Sequence, residues 1–70
     1  MDRTTVSSSN IASIGYDVAS ATLEVEFNSG AVYQYFDVPE SIYQDFLTAD
    51  SKGSFLNVNI KVPGYRYARL

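Results

Sequence analysis

Neither cysteine nor histidine occurs in this chain. Without cysteine there is no disulfide framework and no thiolate nucleophile. Without histidine as well, structural zinc loses its usual ligands and acid–base catalysis loses its commonest residue. The acids match no calcium loop. A serine hydrolase would need an unusual base such as Lys52 or Lys61. Glu24 and Glu26 form the one pair of carboxylates on a strand face, and they read as solvated strand charges. The expectation is therefore a protein that is not an enzyme and that holds no metal and no cofactor. Long apolar runs are missing too, so no membrane span is expected. The N-terminus, Met1-Asp2-Arg3-Thr4-Thr5, has no apolar run behind it and does not read as a signal peptide. Lack of cysteine suits a reducing compartment, and the expected location is the cytoplasm.

What remains is a chain of 70 residues with a net charge of −3. That length makes one domain, 1–70, with residues 1–8 read as a polar lead-in open to fraying. A domain this small buries only about 60% of its unfolded surface, so its core is thin. Small scaffolds without a disulfide or metal often gain stability by association, and a homo-oligomer is expected. The charge is unevenly placed. Residues 1–50 carry all 8 acids and one base, Arg3, whereas residues 51–70 carry Lys52, Lys61, Arg66 and Arg69 and no acid. An anion-facing end is one reading of this asymmetry; a basic tail pairing with the acidic body is the other.

From Asn10 a weak apolar pattern (Ile11, Ile14, Tyr16, Val18) predicts a strand with a bulge or bend at Gly15. Thr22–Phe27 alternates strictly and predicts a half-buried strand. Asn28-Ser29-Gly30 is a turn into a second β-rich run, Ala31–Phe36. A three-residue loop would set Phe27 opposite Ala31, with Gly30 in the left-handed position, and is preferred. It places Tyr33 and Tyr35 on the face of Leu23, Val25 and Phe27. A two-residue loop would place them with Glu24 and Glu26 instead. Pro39–Ala49 reads as an amphipathic helix with the stripe Ile42, Tyr43, Phe46 and Leu47. Ser51 can cap a short second helix carrying Phe55, Leu56, Val58 and Ile60; a strand is the alternative. After the Pro63-Gly64 turn, Tyr65–Leu70 is an edge strand or an extended arm. The predicted class is α+β: a three- to four-stranded antiparallel sheet packed by one amphipathic helix and a short second helix.

The ordered set Ile14-Gly15-Tyr16-Asp17, Leu23-x-Val25-x-Phe27-x-x-Gly30, Tyr33-Gln34-Tyr35, Val38-Pro39 and Ser51-x-Gly53-x-Phe55-Leu56-Asn57-x-x-Ile60 resembles the KTSC domain. That family is named for the C-terminus of lysyl-tRNA synthetase. The resemblance runs from about Ser8 to Tyr67 and lies in the order of the motifs rather than in any one of them. It implies a small α+β domain, found attached to some lysyl-tRNA synthetases and alone in bacteria and their viruses. Its mark is the central tyrosine-x-tyrosine, and RNA binding is the role proposed for it. Family members often carry basic residues after the asparagine of the last motif, where this chain has Val58 and Asn59.

The candidate ligand residues are aromatic and basic. Tyr33 and Tyr35, two apart on a strand, project from one face and can stack on bases or serve as core. Tyr65, Arg66, Tyr67 and Arg69, with Lys61 nearby, combine rings for stacking with guanidinium forks for phosphate. Ser51, Lys52 and Gly53, with Asn57 of the last motif, are secondary anion candidates; a capped helix start is the plainer reading, and the spacing is not that of a P-loop. The expected function is a non-enzymatic binding module for phosphate-bearing ligands, nucleic acid or small nucleotides. The alternatives are a homo-oligomer sequestering a nucleotide-like signal between subunits, and a protein–protein adaptor.

Overall fold

Strict alternation over Thr22–Phe27 does produce a strand, in which Leu23 and Val25 lose all exposure to the helices' side while Glu24 turns to the opposite face. The computed structural model, which describes residues 1–70, sets this strand at the centre of a five-stranded sheet. The strands are β1 (Arg3–Thr5), β2 (Ile11–Asp17), β3 (Thr22–Phe27), β4 (Val32–Tyr35) and β5 (Tyr67–Arg69). Each pairs antiparallel with the next, in the spatial order β1-β2-β3-β4-β5. Between β4 and β5 run α1 (Glu40–Thr48) and α2 (Lys52–Leu56), and α2 continues directly into a π-helical turn over Asn57–Lys61. No helix is long and apolar enough to cross a membrane.

The α+β class and the two helices are as expected, but the sheet has five strands rather than three or four. One added strand is β1, in the segment read as a lead-in open to fraying. Its side chains are exposed and carry no apolar signal. What holds it is backbone pairing along β2, Arg3 opposite Gly15 and Thr5 opposite Ser13, extended by the Val6 amide donating to the Ala12 carbonyl at 3.0 Å. The fourth strand that the sequence left open is β5, so the tail is an edge strand and not a free arm.

A second correction concerns Gly15. The strand runs straight through it, and the irregularity sits between Ile11 and Ser13, where Ala12 is the extra residue. That bulge turns both Ile11 and Ile14 inward although they are three apart, and both are fully buried. The glycine answers a different need. A Cβ there would lie 2.5 Å from the Asp2 carbonyl oxygen and 3.0 Å from Arg3 Cγ, so β1 can approach only over a bare backbone.

The β3–β4 hairpin adopts the three-residue loop. Phe27 donates to Ala31 and accepts from Gly30, at 2.8 and 2.9 Å, with Gly30 at φ 96°. Val25 then faces Tyr33 and Leu23 faces Tyr35, which puts both tyrosines on the apolar side of the sheet.

The expected stripe on α1 is the buried one: Phe46 is fully enclosed, and Ile42, Tyr43 and Leu47 pack against the core. Pro39 and Ala49 flank the helix as its caps. Ser51 caps α2, its Oγ accepting from the Ser54 amide at 3.3 Å, so the helical reading of this region holds and the strand alternative fails. Leu56 and Ile60 point inward from α2 and the π-helical turn, and Phe55 stacks on Phe46 with centroids 5.1 Å apart. Val58, expected among the apolar contacts of this helix, is exposed.

Candidate functional site

The helical layer covers one half of the sheet more than the other. The row Leu23, Tyr35, Tyr67 crosses β3, β4 and β5 on one face, and exposure along it rises from 0% to 4% to 64%. Beyond the shelter of the helices, the apolar face of β4 and β5 becomes the floor of an open groove of about 1000 Å³. That is the upper end of the range for small-molecule sites.

Rings pave the floor. Tyr33 and Tyr35 lie side by side, 6.4 Å apart and within 20° of parallel, because alternate residues of one strand share a face. Tyr67 leans over both, with centroids 5.9 and 5.8 Å away, and the edge of Phe27 meets Tyr33 at 5.7 Å. Tyr65, brought in by the Gly64 turn, lines the wall. Two cations sit above these rings: Lys61 Nζ 5.6 Å from the Phe27 centroid and the Arg69 guanidinium 5.9 Å from that of Tyr33. Neither forms a salt bridge, and no Asp or Glu lines the groove. Although the chain is acidic overall, this hollow is therefore cationic.

Tyr35 belongs both to the core and to the groove. Burial pushes its phenol above the ordinary value of 10.0, with the neighbouring Tyr33 and Tyr67 adding to the effect. No buried side-chain oxygen lacks a partner. Tyr35 bonds to no protein group, so its hydroxyl is open to the groove. Among the six tyrosines, Tyr16 alone has its hydroxyl tied within the chain, donating to the Val38 carbonyl.

The structure gathers six of the seven primary candidates, Tyr33, Tyr35, Lys61, Tyr65, Tyr67 and Arg69, around this one hollow. Arg66 is the exception. It stands opposite Phe36 at the strand end, with its guanidinium 5.3 Å from the Phe36 ring and 3.1 Å from Asp37 Oδ2. Alternation along β5 turns it to the other face of the sheet. Of the secondary anion candidates, Ser51, Lys52 and Gly53 line a smaller polar hollow that shares Ser9 and Asn10 with the groove. Lys52 donates to the Ala49 carbonyl at the end of α1, the Ser51 hydroxyl is taken by the Ser54 amide, and Gly53 lies against the Asn10 amide. Asn57 is exposed on the π-helical turn, its carbonyl accepting from Val62.

Sequence reading missed Phe27, Asn10 and Asn28 as lining residues. The preferred hairpin register carries the signal for Phe27, which it places beside Tyr33. The asparagines had no local signal. They reach the rim because Asn28 donates its backbone amide to Asn10 at 2.8 Å and its side-chain amide to the Ser8 carbonyl at 3.2 Å. Glu24 and Glu26 also differ from the expectation of solvated charges. Glu24 is 7% exposed and accepts from Arg3 and Gln34, while Glu26 accepts from Ser13.

This architecture has close relatives. A crystal structure of a KTSC domain protein from Yersinia pestis matches it with a TM-score of 0.93 at 42% identity, over 99% of this chain and 96% of that one. A protein of Stutzerimonas stutzeri strain A1501 is 46% identical over 70 residues, taking in 100% of this chain and 99% of its own length. A lysine–tRNA ligase of Nostoc punctiforme is 45% identical over 51 residues, which are 73% of this chain and 9% of that enzyme. The family model described as the KTSC domain matches residues 7–67. The chain belongs to the KTSC domain family.

Proposed function

We propose that the tyrosine-floored groove is a binding site for phosphate-bearing ligands with planar bases, nucleotides and RNA among them, and that the protein acts by binding rather than by catalysis. The observation that carries this reading is the placement of Lys61 and Arg69 over Phe27 and Tyr33 without a carboxylate partner. Rings offer stacking surface to any base, and the cations offer charge to phosphate. A cationic ligand such as a quaternary ammonium fits poorly, because the rings already face two positive groups and no acid stands by to balance a third. The likeness to a segment of a lysine–tRNA ligase supports a nucleic-acid setting for the same groove. We place the protein in the cytoplasm, where a fold without disulfides is at home.

The test is an amide chemical-shift titration with adenosine monophosphate and with a short single-stranded RNA. Shifts are expected at Tyr33, Tyr35, Lys61, Tyr67 and Arg69 and not at Thr4 or Asp45. An unmoved spectrum at millimolar ligand would sink the reading. A second reading, a homo-oligomer that closes over the ligand, gains support from the open side of the groove, where Tyr67 remains 64% exposed. Sedimentation with and without nucleotide decides it: a ligand-dependent dimer supports closure, and an unchanged monomer removes it.

A further inference from the structure

Where each cation points narrows the ligand. The chain has five, and three face away from the groove. Arg3 lies on the opposite face of the sheet against Glu24, Lys52 turns back to the Ala49 carbonyl, and Arg66 pairs with Asp37. Lys61 and Arg69 alone remain, over adjacent rings whose centroids are 5.7 Å apart. A smaller polar hollow shares Ser9 and Asn10 with the groove, but its one cation, Lys52, is held by the Ala49 carbonyl and shares the hollow with Asp50. All 8 acids of the chain lie outside the groove lining and leave the protein with a net charge of −3. Polymer binding draws its affinity from a track of phosphate contacts. Here the positive charge is concentrated at one spot of a chain whose net charge of −3 disfavours a long polyanion.

We infer that the groove takes a small nucleotide with two phosphates, of the size of a dinucleotide, rather than a nucleic-acid polymer. This rests on the groove being the binding site proposed above. The near-parallel pair Tyr33 and Tyr35, with Tyr67 tilted over them, gives a platform for bases. Lys61 and Arg69 each neutralise a phosphate. The rim amides of Asn10 and Asn28 stand where the edge of a base would pass. A volume of about 1000 Å³ suits such a ligand whole, whereas a polymer would fill it with one short stretch and leave its other charges unmatched.

The experiment follows tyrosine fluorescence of the full chain with three probes: 5′-phosphorylated diadenylate, a long oligoadenylate and inorganic pyrophosphate. Diadenylate is expected to saturate one-to-one, at concentrations about tenfold below those of pyrophosphate, because stacking adds to charge. Oligoadenylate is expected to show a slope of log affinity against log salt no steeper than about −1.4, the value for two contacts on a single strand. A slope steeper by one contact or more, or pyrophosphate binding as tightly as diadenylate, overturns the inference while leaving the groove as a binding site. Silence with all three probes overturns the groove reading itself. Lys61→Gln and Arg69→Gln should each weaken diadenylate about tenfold, the loss expected for one charge-assisted contact, while Arg66→Gln leaves it unchanged. All three side chains are exposed, so the variants keep the fold. Unchanged affinity in both Lys61→Gln and Arg69→Gln also overturns the inference.

Discussion

Arg3 reaches across Gly15 to Glu24, its Nη1 standing 3.1 Å from Oε2, and so ties the edge strand β1 to the central strand β3 over the bare backbone of β2. The other oxygen of Glu24 accepts from Gln34 Nε2 at 2.9 Å, so a nearly buried carboxylate is held from both sides. Removing Arg3 leaves that carboxylate half-satisfied. Since Arg3 itself is partly exposed, Arg3→Met should cost about 1 kcal/mol, less than a fully buried charged contact. Urea denaturation measures it, and the double variant with Glu24→Gln should recover part of the loss, because no charge is then left unpaired. An Arg3→Met midpoint equal to that of the parent would show the bridge to be idle.

Gly15 tests the same relationship from beneath. In Gly15→Ala the new methyl would meet Asp2 backbone at 2.5 Å, a distance that forces something to move. The segment free to move is β1, a three-residue edge strand. Expected are a loss of about 1–3 kcal/mol and rapid hydrogen exchange at Thr4 and Val6, with the β3–β4 amides still protected. Uniform acceleration of exchange would mean that β1 and the rest of the sheet open together.

The hairpin makes a third prediction. Gly30 has φ 96°, but a Cβ there would meet nothing within 4 Å. Gly30→Ala should therefore cost backbone strain alone, about 1 kcal/mol after the entropy gained in the unfolded chain is set against it. Gly30→Asn should cost less, since asparagine tolerates the left-handed region. The register should survive in both, with the Val25–Tyr33 cross-strand contact intact by nuclear Overhauser effect. A slip that moved Tyr33 to the face of Glu24 would contradict this account of the turn.

These positions also show what the sequence could and could not disclose. The centre of the sheet, the hairpin register and the stripe of α1 were legible because each rests on local periodicity or on one demanding backbone conformation. The strand β1 was not, because its exposed side chains carry no apolar alternation, and its pairing along β2 uses backbone groups that every residue possesses, with the Arg3–Glu24 bridge added across 21 residues of sequence. Gly15 was read as a bend because a glycine inside a strand signals either a bulge or a close approach, and only the path of Arg3 tells which. The bulge had left its mark elsewhere, in the odd spacing of Ile11 and Ile14. The groove was legible as a set of residue types but not as a shape. Which arginine turned inward depended on the parity of β5: Arg69 shares a face with Tyr33, and Arg66 falls opposite.

Ser51 separates α2 from the turn before it. Its Oγ accepts from the Ser54 amide, and Ser51→Ala should cost about 1 kcal/mol. Because α2 runs on into the π-helical turn that carries Lys61, the loss should also loosen the groove wall. Faster exchange at Asn57–Lys61 amides is the expected sign. A stability loss with no change there would uncouple the cap from the site.

Alkaline pH supplies the last prediction. Tyr16 and Tyr35 hold their protons more tightly in the fold than the ordinary value of 10.0 allows. For Tyr16 the causes are burial, then Glu40, then Asp17; for Tyr35 they are burial, then Tyr33 and Tyr67. Below the unfolded value both phenols are neutral in either state and their packing contributes in full. Above it the unfolded chain ionises first, so it binds fewer protons than the fold, and stability falls as pH rises through the raised folded values. Urea midpoints should therefore be level up to about pH 9 and decline above about pH 10. Tyr35→Phe should flatten that decline without disturbing α1. Tyr16→Phe should flatten it too, but from a lower starting point, since it also removes the bond to the Val38 carbonyl, worth about 1 kcal/mol. Absorbance at the tyrosinate band should show these two groups titrating late. A midpoint that stays level through the alkaline range would mean that neither phenol is better protected in the fold than outside it.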